Sequence, residues 1–502
     1  MCGIAATWGS ADEATVRAMM EDLVHRGPDA SGSFRSSGGT GMLGHRRLSI
    51  MDPGGGDQPI RSGDGRRAVI ANGEIYNFPD VRPELEERHR FRSSSDSEAI
   101  LHLYEEYGED AVEHLDGMWA FAVMDGEDLF AARDPLGIKP LYMGQRNGSL
   151  LLASELKALA GRAEDVQEFP PGTSWHSTHG WTRFYSVPEP PVEEDSIDGW
   201  CARLRGALDD CVAKQRMSDV PVGAFLSGGL DSSILAALLR RHAGELHTFS
   251  VGLEGSGDLA AARLVAEHLD TIHHEHVLTR EDIASALPEL VWHLESFDQD
   301  LVRSAVPAWF TAKLAVEHVT VALTGEGADE LFAGYDYHAE IEDHGLLRDE
   351  LRRSVEALHD VNLQRVDRMT MAHSLEGRPP FLDDGVIDLA GRIPTELKLP
   401  GQGKEKWILR AAFQDLLPEE IVWRKKEQFD QGSGVAEVAA QMADDQMSKV
   451  QAEAYRVRWP EVRLRSAEEC FYHSLLVSSL DHPEPVLANV ARWTDRPAGV
   501  PA

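Results

Sequence analysis

Cys2 stands directly after the initiator methionine, and Gly3 follows it. Because the cysteine side chain is small, we expect Met1 to be removed, which leaves a thiol and an α-amine on one residue. The amine has a reference pKa of about 7.7–8.0, so a fraction of it is unprotonated at neutral pH and can accept the thiol proton. The thiolate is then a nucleophile that needs no separate histidine base. A second-position cysteine is incidental in most chains, so this chemistry needs supporting residues elsewhere.

Residues 225–233, with the sequence FLSGGLDSS, form a second chemically suggestive segment. An apolar run leads into two glycines, where backbone N–H groups can approach an anion, and then into a helix start that favours negative charge. Asp231 would repel a phosphate unless it held Mg²⁺ that bridges to the phosphate. A glycine turn in which Asp231 and Ser232 cap the helix is the alternative that the spacing leaves open.

Residues 323–330, with the sequence LTGEGADE, follow another apolar run. Glu326 and Asp329 place two carboxylates at one predicted strand end, where Asp329 can share a metal ion with Asp231. An acidic turn with a helix cap fits this segment equally well.

The elements that must position these residues change character near residue 190. Before it, short apolar runs bounded by turn residues predict strands at 68–71, 119–124, 129–132 and 150–153, with helices over 14–25 and 97–107. Residues 187–195, VPEPPVEED, continue neither a helix nor a central strand. After them, strands at 220–226, 246–252, 275–278 and 319–324 alternate with helical stretches such as 232–241. This alternation predicts a parallel sheet flanked by helices.

We therefore predict two domains, a linker between them and a carboxy-terminal tail. A strand-rich α+β domain covers residues 2–186, a linker covers 187–196, and an α/β domain with extra helices covers 197–482. Residues 483–502, rich in proline and polar groups, are predicted to be a frayed tail.

Further segments accompany Cys2 in a fixed order: HRGPD at 25–29, GHRRLSIMD at 44–52, QP at 58–59, NGEIYN at 72–77 and SDSE at 95–98. This series resembles class II glutamine amidotransferases, which are N-terminal-nucleophile hydrolases with an αββα sandwich. The SGGLDSS segment resembles the pyrophosphate loop of ATP-pyrophosphatases. Together the two halves resemble glutamine-dependent asparagine synthetases over nearly the whole chain.

The resemblance implies a glutaminase site in the first domain. Cys2 is the implied nucleophile, and Asn72 with the Gly73 N–H forms the oxyanion hole. The implied glutamine-binding residues are Arg47, Leu48, Ile50, Asn72, Glu74 and Asp96. Arg47 can grip the α-carboxylate as a fork, while Glu74 and Asp96 receive the α-ammonium. A surface ion pair for Arg47 and a hairpin turn at Asn72-Gly73 stay open as alternatives.

The resemblance also implies that the second domain uses ATP and Mg²⁺ to adenylate a carboxylate, which ammonia then converts to an amide with release of AMP. The implied ATP-binding residues are Leu226, Ser227, Gly228, Gly229, Asp231, Ser232, Val251, Thr324 and Gly325, and the implied Mg²⁺ ligands are Asp231 and Asp329. Lys406 matches the catalytic lysine, although Lys404 lies close to it in the sequence. Glu326 is placed to orient the acceptor or to take a proton from ammonia.

The acceptor segment departs from the family pattern. Arg303 is retained, but Asp300 and Leu301 replace two hydroxyl residues. The resemblance makes aspartate the default acceptor. Because an additional carboxylate disfavours a small dianionic acceptor, a specialised biosynthetic carboxylate is the alternative. Residues 369–383, MTMAHSLEGRPPFLD, match the block that helps to line the ammonia passage in this family, with Gly377 and Pro379 replacing the more usual residues.

Composition limits the other functions. The 502-residue chain has 49 Lys and Arg against 84 Asp and Glu, a net charge of −35, which argues against wrapping nucleic acid or binding an anionic membrane. Its four cysteines form no C-x-x-C pair, and the amino terminus lacks the features of a signal peptide, so we expect a cytoplasmic protein. The expected partners are glutamine, ATP and a small carboxylate; a homodimer stays open.

Overall fold

The computed structural model describes residues 2–400, 404–494 and 500. The amino-terminal elements are, in order, β1 (Cys2–Trp8), α1 (Glu13–Asp22), β2 (Ala30–Arg35), β3 (Gly41–Arg47), β4 (Ile60–Arg61), β5 (Arg67–Ile75), α2 (Phe78–Glu86), α3 (Ser97–Tyr107), β6 (Gly117–Asp125), β7 (Asp128–Arg133), β8 (Tyr142–Arg146), β9 (Ser149–Ala153), α4 (Leu156–Leu159), β10 (Glu164–Glu168), β11 (Thr173–His176) and β12 (Gly180–Arg183). The predicted helix over 14–25 ends at Asp22 and is followed by a short 3₁₀ turn, Val24–Arg26.

These strands form two antiparallel sheets, each six-stranded within the described residues, in the orders β10-β8-β9-β1-β3-β2 and β12-β11-β7-β6-β5-β4. The sheets pack face to face, with Ile4 of β1 in the same apolar cluster as Ile70 of β5. Helix α1 covers the outer face of the first sheet through Val16, and α3 covers that of the second through Ile100. The αββα sandwich is therefore confirmed.

Strand β6 shows why this part of the sequence is so apolar. Helices cover one face of its sheet and the other sheet covers the opposite face, so residues 118–124 are all buried and no polar alternation is needed. Strand β1 starts at Cys2 in the middle of its sheet, where Cys2 pairs with Arg47 of β3. The fold thus buries the beginning of the chain between paired strands.

The carboxy-terminal elements are α5 (Ile197–Gln215), β13 (Val222–Phe225), α6 (Leu230–His242), β14 (His247–Leu253), α7 (Gly257–Leu269), β15 (Ile272–Leu278), α8 (Arg280–Leu294), α9 (Gln299–Ala315), β16 (Val321–Leu323), α10 (Ala328–Leu331), α11 (His344–Glu356), α12 (Asn362–Met371), β17 (Glu376–Arg378), α13 (Asp384–Arg392), α14 (Thr395–Lys398), α15 (Trp407–Phe413), α16 (Glu419–Val422), α17 (Phe429–Gly432), α18 (Val435–Gln446), α19 (Lys449–Arg456), α20 (Ala467–Ser479) and α21 (Glu484–Leu487). Strands β15-β14-β13-β16-β17 form a parallel sheet in that order.

Helices cover both faces of this sheet, as the predicted α/β class requires. One apolar cluster joins α5 and α6 through Leu204 and Leu235, and another joins α8 and α9 through Leu290 and Val302. In such sheets ligands bind at the carboxyl ends of the strands, so a ligand is expected at the loops after β13 and β16.

The carboxy-terminal segment differs from the predicted frayed tail. Val486 of α21 is fully buried, and the Asn489 side chain donates a hydrogen bond to the Val166 carbonyl of the first domain at 3.0 Å. Residues 483–494 therefore pack against the protein, because apolar residues among the prolines find a surface to cover. Residues 495–499 and 501–502 lie outside the described part. None of the helices in the described part of the chain is long and apolar enough to cross a membrane.

Candidate functional site

Cys2 is buried in the first domain and is only 7% exposed. Its backbone nitrogen donates to Asn72 Oδ1 at 2.9 Å, and its carbonyl accepts a hydrogen bond from Arg26 Nε at 3.0 Å. Burial raises the pKa of the Cys2 thiol. The thiol is therefore protonated at rest, and a base must remove its proton before the sulfur can attack.

Asn72 and Gly73 lie beside Cys2 in the middle of β5 rather than in a hairpin turn. They pair with Ala120 and Trp119 of β6, so the hairpin alternative is wrong. Asn72 Nδ2 is buried and has no hydrogen-bond partner among the described residues. Leaving a buried donor without a partner costs ~1–3 kcal/mol of stability, so an oxyanion that accepted a hydrogen bond from Nδ2 would be bound favourably. Gly73 has φ +152°, and a Cβ there would lie 2.0 Å from the Met118 carbonyl oxygen, so only glycine fits.

Two buried carboxyl groups, those of Glu74 and Asp96, lie close to Asn72 and Gly73. Asp96 Oδ2 accepts a hydrogen bond from the Ile75 backbone nitrogen at 2.6 Å, and burial raises the pKa of Asp96 to about 6. Burial and the neighbouring charge of Asp96 raise the pKa of Glu74 well above its ordinary value, and Glu74 Oε2 has no hydrogen-bond partner in the part of the chain described. A cation entering here would stabilise both charges, which fits the α-ammonium of an amino acid.

Arg47 is 4% exposed, so it is not the surface residue of the alternative interpretation. Its guanidinium is held by the loop after β3: it donates to the carbonyls of Met51 at 3.1 Å and Asp52 at 2.6 Å, and to Asp57 Oδ1 at 2.8 Å. The Asp57 side chain is 77% exposed. A ligand carboxylate that displaced Asp57 would therefore find a buried, pre-positioned fork.

Leu48 and Ile50, which follow Arg47, do not point to solvent. They form a small apolar cluster with Val321 of β16 and Met371 of α12. The wall of the predicted glutamine pocket is therefore packed directly against the second domain.

A cavity opens at the carboxyl ends of β13 and β16. Its lining includes most of the predicted nucleotide residues, namely Leu226, Ser227, Gly229, Asp231, Ser232, Thr324 and Gly325. Two predicted residues are not in the lining. Gly228 has φ +72° and lies against Ala261, 2.5 Å from where a Cβ would be, so it shapes the turn. Val251 is 1% exposed and packs in the apolar cluster of α8 and α9.

The loop after β13 leaves the start of α6 open. The residue before the helix is Gly229, which provides no side-chain cap, so capping by Asp231 or Ser232 is not their role. Ser232 Oγ instead lies 3.1 Å from Ser227 Oγ and donates to the Gly229 carbonyl at 3.2 Å. The free helix start and the two hydroxyls are suited to an anion such as pyrophosphate.

Lys406 is the central cation of this cavity. It is 1% exposed, and its Nζ lies 2.6 Å from Asp231 Oδ2 and 2.6 Å from Asp329 Oδ1. Lys426 Nζ contacts the other Asp329 oxygen at 2.7 Å. Although burial alone raises a carboxyl pKa, Lys406 and Lys426 hold the pKa of Asp329 well below its ordinary value. Lys406 also has φ +57°, a strained conformation for a non-glycine residue, of the kind found at functional sites.

The structure places Lys404 and Lys406 in different environments. Lys404 is exposed and donates to the Trp423 carbonyl, and it does not line the cavity. The geometry therefore supports Lys406 as the reactive-site lysine. The alternative of a side-chain helix cap in the segment 323–330 is also not seen, because the residue before α10 is Gly327.

Glu326, which lies in the loop after β16, also faces the cavity. Its Oε1 accepts a hydrogen bond from Arg365 at 2.7 Å, and both residues are in the lining. Arg365 contacts one carboxylate oxygen of Glu326, so the second oxygen can accept a hydrogen bond from a bound ligand.

The predicted acceptor residues divide into two groups. Asp300 and Leu301 line the cavity, and Asp300 Oδ2 lies 3.4 Å from Arg465. Arg303 is not in the lining: its Nε donates to Glu468 Oε1 of α20 at 2.8 Å, and a second bond joins the same two side chains. The expectation that Arg303 faces the acceptor is therefore not met in this structure, because a distant helix supplies its partner.

Sequence reasoning missed several cationic lining residues. Arg365 lies on α12, and Arg424, Lys425 and Lys426 follow α16. Three consecutive basic residues in so acidic a chain are the pattern that could have revealed the second group.

The block at 369–383, predicted to help line an ammonia passage, lies where the two domains meet. Arg378 NH2 is 3.6 Å from Glu74 Oε1, and the Arg378 carbonyl accepts a hydrogen bond from the Thr324 nitrogen at 2.8 Å. Ser374 Oγ also donates to the His25 carbonyl at 2.7 Å. One residue, Arg378, thus contacts a predicted glutamine-binding residue and a lining residue of the second cavity.

Comparison with known proteins agrees with this arrangement. The family described as glutamine amidotransferase domain matches residues 1–171, and the family described as asparagine synthase matches residues 203–344 and 339–485. The chain is 42% identical over 461 residues to a glutamine-hydrolysing asparagine synthetase of Triphysaria versicolor, covering 86% of this chain and 78% of that protein. It is 39% identical over 514 residues to the enzyme of Asparagus officinalis, covering 95% and 85%. It is 39% identical over 480 residues to asparagine synthetase B of Escherichia coli K12, covering 90% and 85%.

Proposed function

Because this chain belongs to the family of glutamine-hydrolysing asparagine synthetases, we propose that its two sites perform successive halves of one amide synthesis. The first site frees ammonia from glutamine. The second site joins that ammonia to a carboxylate activated by ATP. The observation that carries the proposal is the pairing of Cys2 with Asn72, whose Nδ2 is left free of hydrogen bonds by the described residues around it.

In the glutaminase site, the α-amine of a processed Cys2 accepts the thiol proton, and the thiolate attacks the side-chain amide carbon. The oxyanion receives hydrogen bonds from Asn72 Nδ2 and the Gly73 N–H. Ammonia leaves with the proton, and water then cleaves the thioester to glutamate. Arg47, Glu74 and Asp96 support this role because they offer a fork for the α-carboxylate and two buried carboxyl groups for the α-ammonium.

In the synthetase site, an acceptor carboxylate oxygen attacks the α-phosphorus of ATP, and pyrophosphate leaves. Ammonia then attacks the acyl-adenylate, AMP leaves, and an amide remains. Lys406 neutralises the charge that develops in both steps, and Glu326 takes the proton from the attacking ammonia. The hydroxyls of Ser227 and Ser232 hold the pyrophosphate.

Asp231 and Asp329 would hold Mg²⁺. They fit the ion because Asp231 Oδ1 is buried without a hydrogen-bond partner among the described residues, and because both carboxylates converge on Lys406. When bound, the ion supplies positive charge to the phosphates, which the two carboxylates alone would repel.

Aspartate is the proposed acceptor, since the relatives are asparagine synthetases. A second candidate is a specialised carboxylate that carries less negative charge. It is favoured by Asp300, which adds a carboxylate to the cavity lining.

The test is pyrophosphate release by the full chain with ATP, Mg²⁺ and ammonium chloride, in the presence of aspartate or of other small carboxylates. Stimulation by aspartate supports the proposal. Stronger stimulation by another carboxylate selects the second candidate, and release that no carboxylate stimulates contradicts both.

A further inference from the structure

A separate pocket lies between the interdomain linker and the helices of the second domain. Residues 187–190 of the linker form one wall, and α11, α13 and α14 contribute the others. Much of the lining is apolar, including Leu351, Val355 and Ile387. No residue assigned above to glutamine, nucleotide or acceptor lines this pocket.

Lys398, the last residue of α14, lines this pocket and is only 4% exposed. Its ammonium has no hydrogen bond or ion pair with any residue in the described ranges. Burial, and next the charge of Arg348, lower the pKa of Lys398 to about 7. A lysine buried without a counter-ion is rare in proteins, because desolvation of its charge is unfavourable.

Arg348 of α11 lines the same pocket and is in a similar position. Its guanidinium donates to the Pro190 carbonyl of the linker, and it has no carboxylate partner among the residues described. Two cations thus share one pocket without an acidic partner, in a chain that has 84 acidic residues and 49 basic ones.

The carboxylates around the pocket do not fill this role. Glu189 and Asp349 both lie near Arg352, at 2.8 Å and 3.8 Å from its guanidinium nitrogens. Glu330 Oε1 accepts a hydrogen bond from the Tyr335 hydroxyl. Each of these carboxylates therefore has a partner other than Lys398 or Arg348, and an anion from outside could supply the anionic partner that these two side chains lack among the described residues.

We propose that this pocket binds a small organic anion, a carboxylate or a phosphate monoester, whose charged group contacts Lys398 and Arg348 and whose apolar part contacts Leu351, Val355 and Ile387. Charge-assisted hydrogen bonds to the buried Lys398 and the half-buried Arg348 give the recognition its strength, and the apolar wall selects against hydrated inorganic ions. This inference does not depend on the proposed reaction, because Lys398 and Arg348 belong to neither active site.

The test uses benzoate and phenyl phosphate as the probes, titrated calorimetrically into the full chain with saturating ATP and Mg²⁺ to occupy the nucleotide cavity. The two probes share an apolar ring and differ in the charged group, so their relative affinities identify the head group. Lys398→Met is expected to weaken binding of the better probe by about tenfold or more, because a charge-assisted hydrogen bond in a buried site is lost.

Lys449→Met is the matched control, since Lys449 is an exposed lysine on α19 and the change in net charge is the same. Its affinity is expected to stay within about twofold of the original chain. Arg348→Met provides a second variant on a different helix and is expected to weaken binding as Lys398→Met does. Thermal melts of each variant confirm folding. Failure of both probes to bind the original chain, or equal binding by folded Lys398→Met, would overturn the proposal.

Discussion

The pair Lys406→Met and Lys404→Met tests the placement of charge in the synthetase cavity. Lys406 is 1% exposed and contacts two carboxylates at 2.6 Å each, so water cannot take the place of its ammonium without reorganisation. Lys404 is exposed and donates a hydrogen bond to the Trp423 carbonyl. Both substitutions remove a lysine side chain. One is taken from a buried position between two carboxylates, and the other is taken from an exposed position two residues away.

The expected magnitudes follow from these surroundings. Loss of a pre-positioned charge that stabilises a transition state in a water-excluded site costs ~3–4 kcal/mol, so Lys406→Met should lower kcat for pyrophosphate release by about 10²–10³-fold. An exposed lysine contributes ~0–1 kcal/mol, so Lys404→Met should change kcat by less than about fivefold. Glutamine hydrolysis should persist in both variants, because Cys2 and Asn72 lie in the other domain.

The assay measures pyrophosphate release with ammonium chloride as the nitrogen source, beside glutamate formation from glutamine in the same preparation. Retained glutaminase activity shows that the protein is folded. Equal losses in the two variants, or a loss of only a few-fold for Lys406→Met, would refute the assignment of Lys406.

Three further predictions concern the glutamine pocket and the acceptor. Asn72→Ala should lower kcat for glutamine hydrolysis by about 10²–10³-fold with a smaller change in KM, since the lost donor acts on the oxyanion; steady-state kinetics decide this. Protonation of the Cys2 α-amine alone should lower kcat/KM for glutamine about tenfold per pH unit below the amine pKa of about 7.7–8.0. Because the pKa of Asp96 is raised to about 6, the fall should steepen below pH 6 to about a hundredfold per unit, as the carboxylate that receives the α-ammonium is also protonated; a slope that stays at about tenfold per unit down to pH ~5 contradicts this role. Asp300→Thr should raise kcat/KM for aspartate by a few-fold, ~1 kcal/mol, because a carboxylate 3.4 Å from Arg465 is only partly neutralised; unchanged kinetics in the pyrophosphate assay would count against this specificity role.

The strands of both domains are predictable because their apolar runs are bounded by turn residues. The runs at 68–71 and 129–132 lie within β5 and β7, and those at 246–252 and 319–324 overlap β14 and β16. Alternation of strands and helices was sufficient to predict the parallel sheet. The layering of the first domain was implied by family resemblance, since periodicity does not say which sheet a strand joins.

The cavity residues were predictable only where local sequence fixes local structure. The segment from Ser227 to Ser232 forms a compact loop within itself, so its hydroxyls and its helix start could be foreseen. Lys426 reaches Asp329 from 97 positions away, and Glu468 reaches Arg303 from 165 positions away. Contacts between such distant residues are set by tertiary packing, which leaves no local pattern in the sequence.

We propose that one chain releases ammonia from glutamine at the Cys2 thiol and activates a carboxylate at a separate nucleotide site. The most direct measurement follows glutamate formation and ammonia-dependent pyrophosphate release in Cys2→Ala and Asp231→Asn. We predict that Cys2→Ala loses the first activity and keeps the second, while Asp231→Asn does the reverse. Loss of both activities in either variant, with folding shown by an unchanged thermal melt, would contradict the claim.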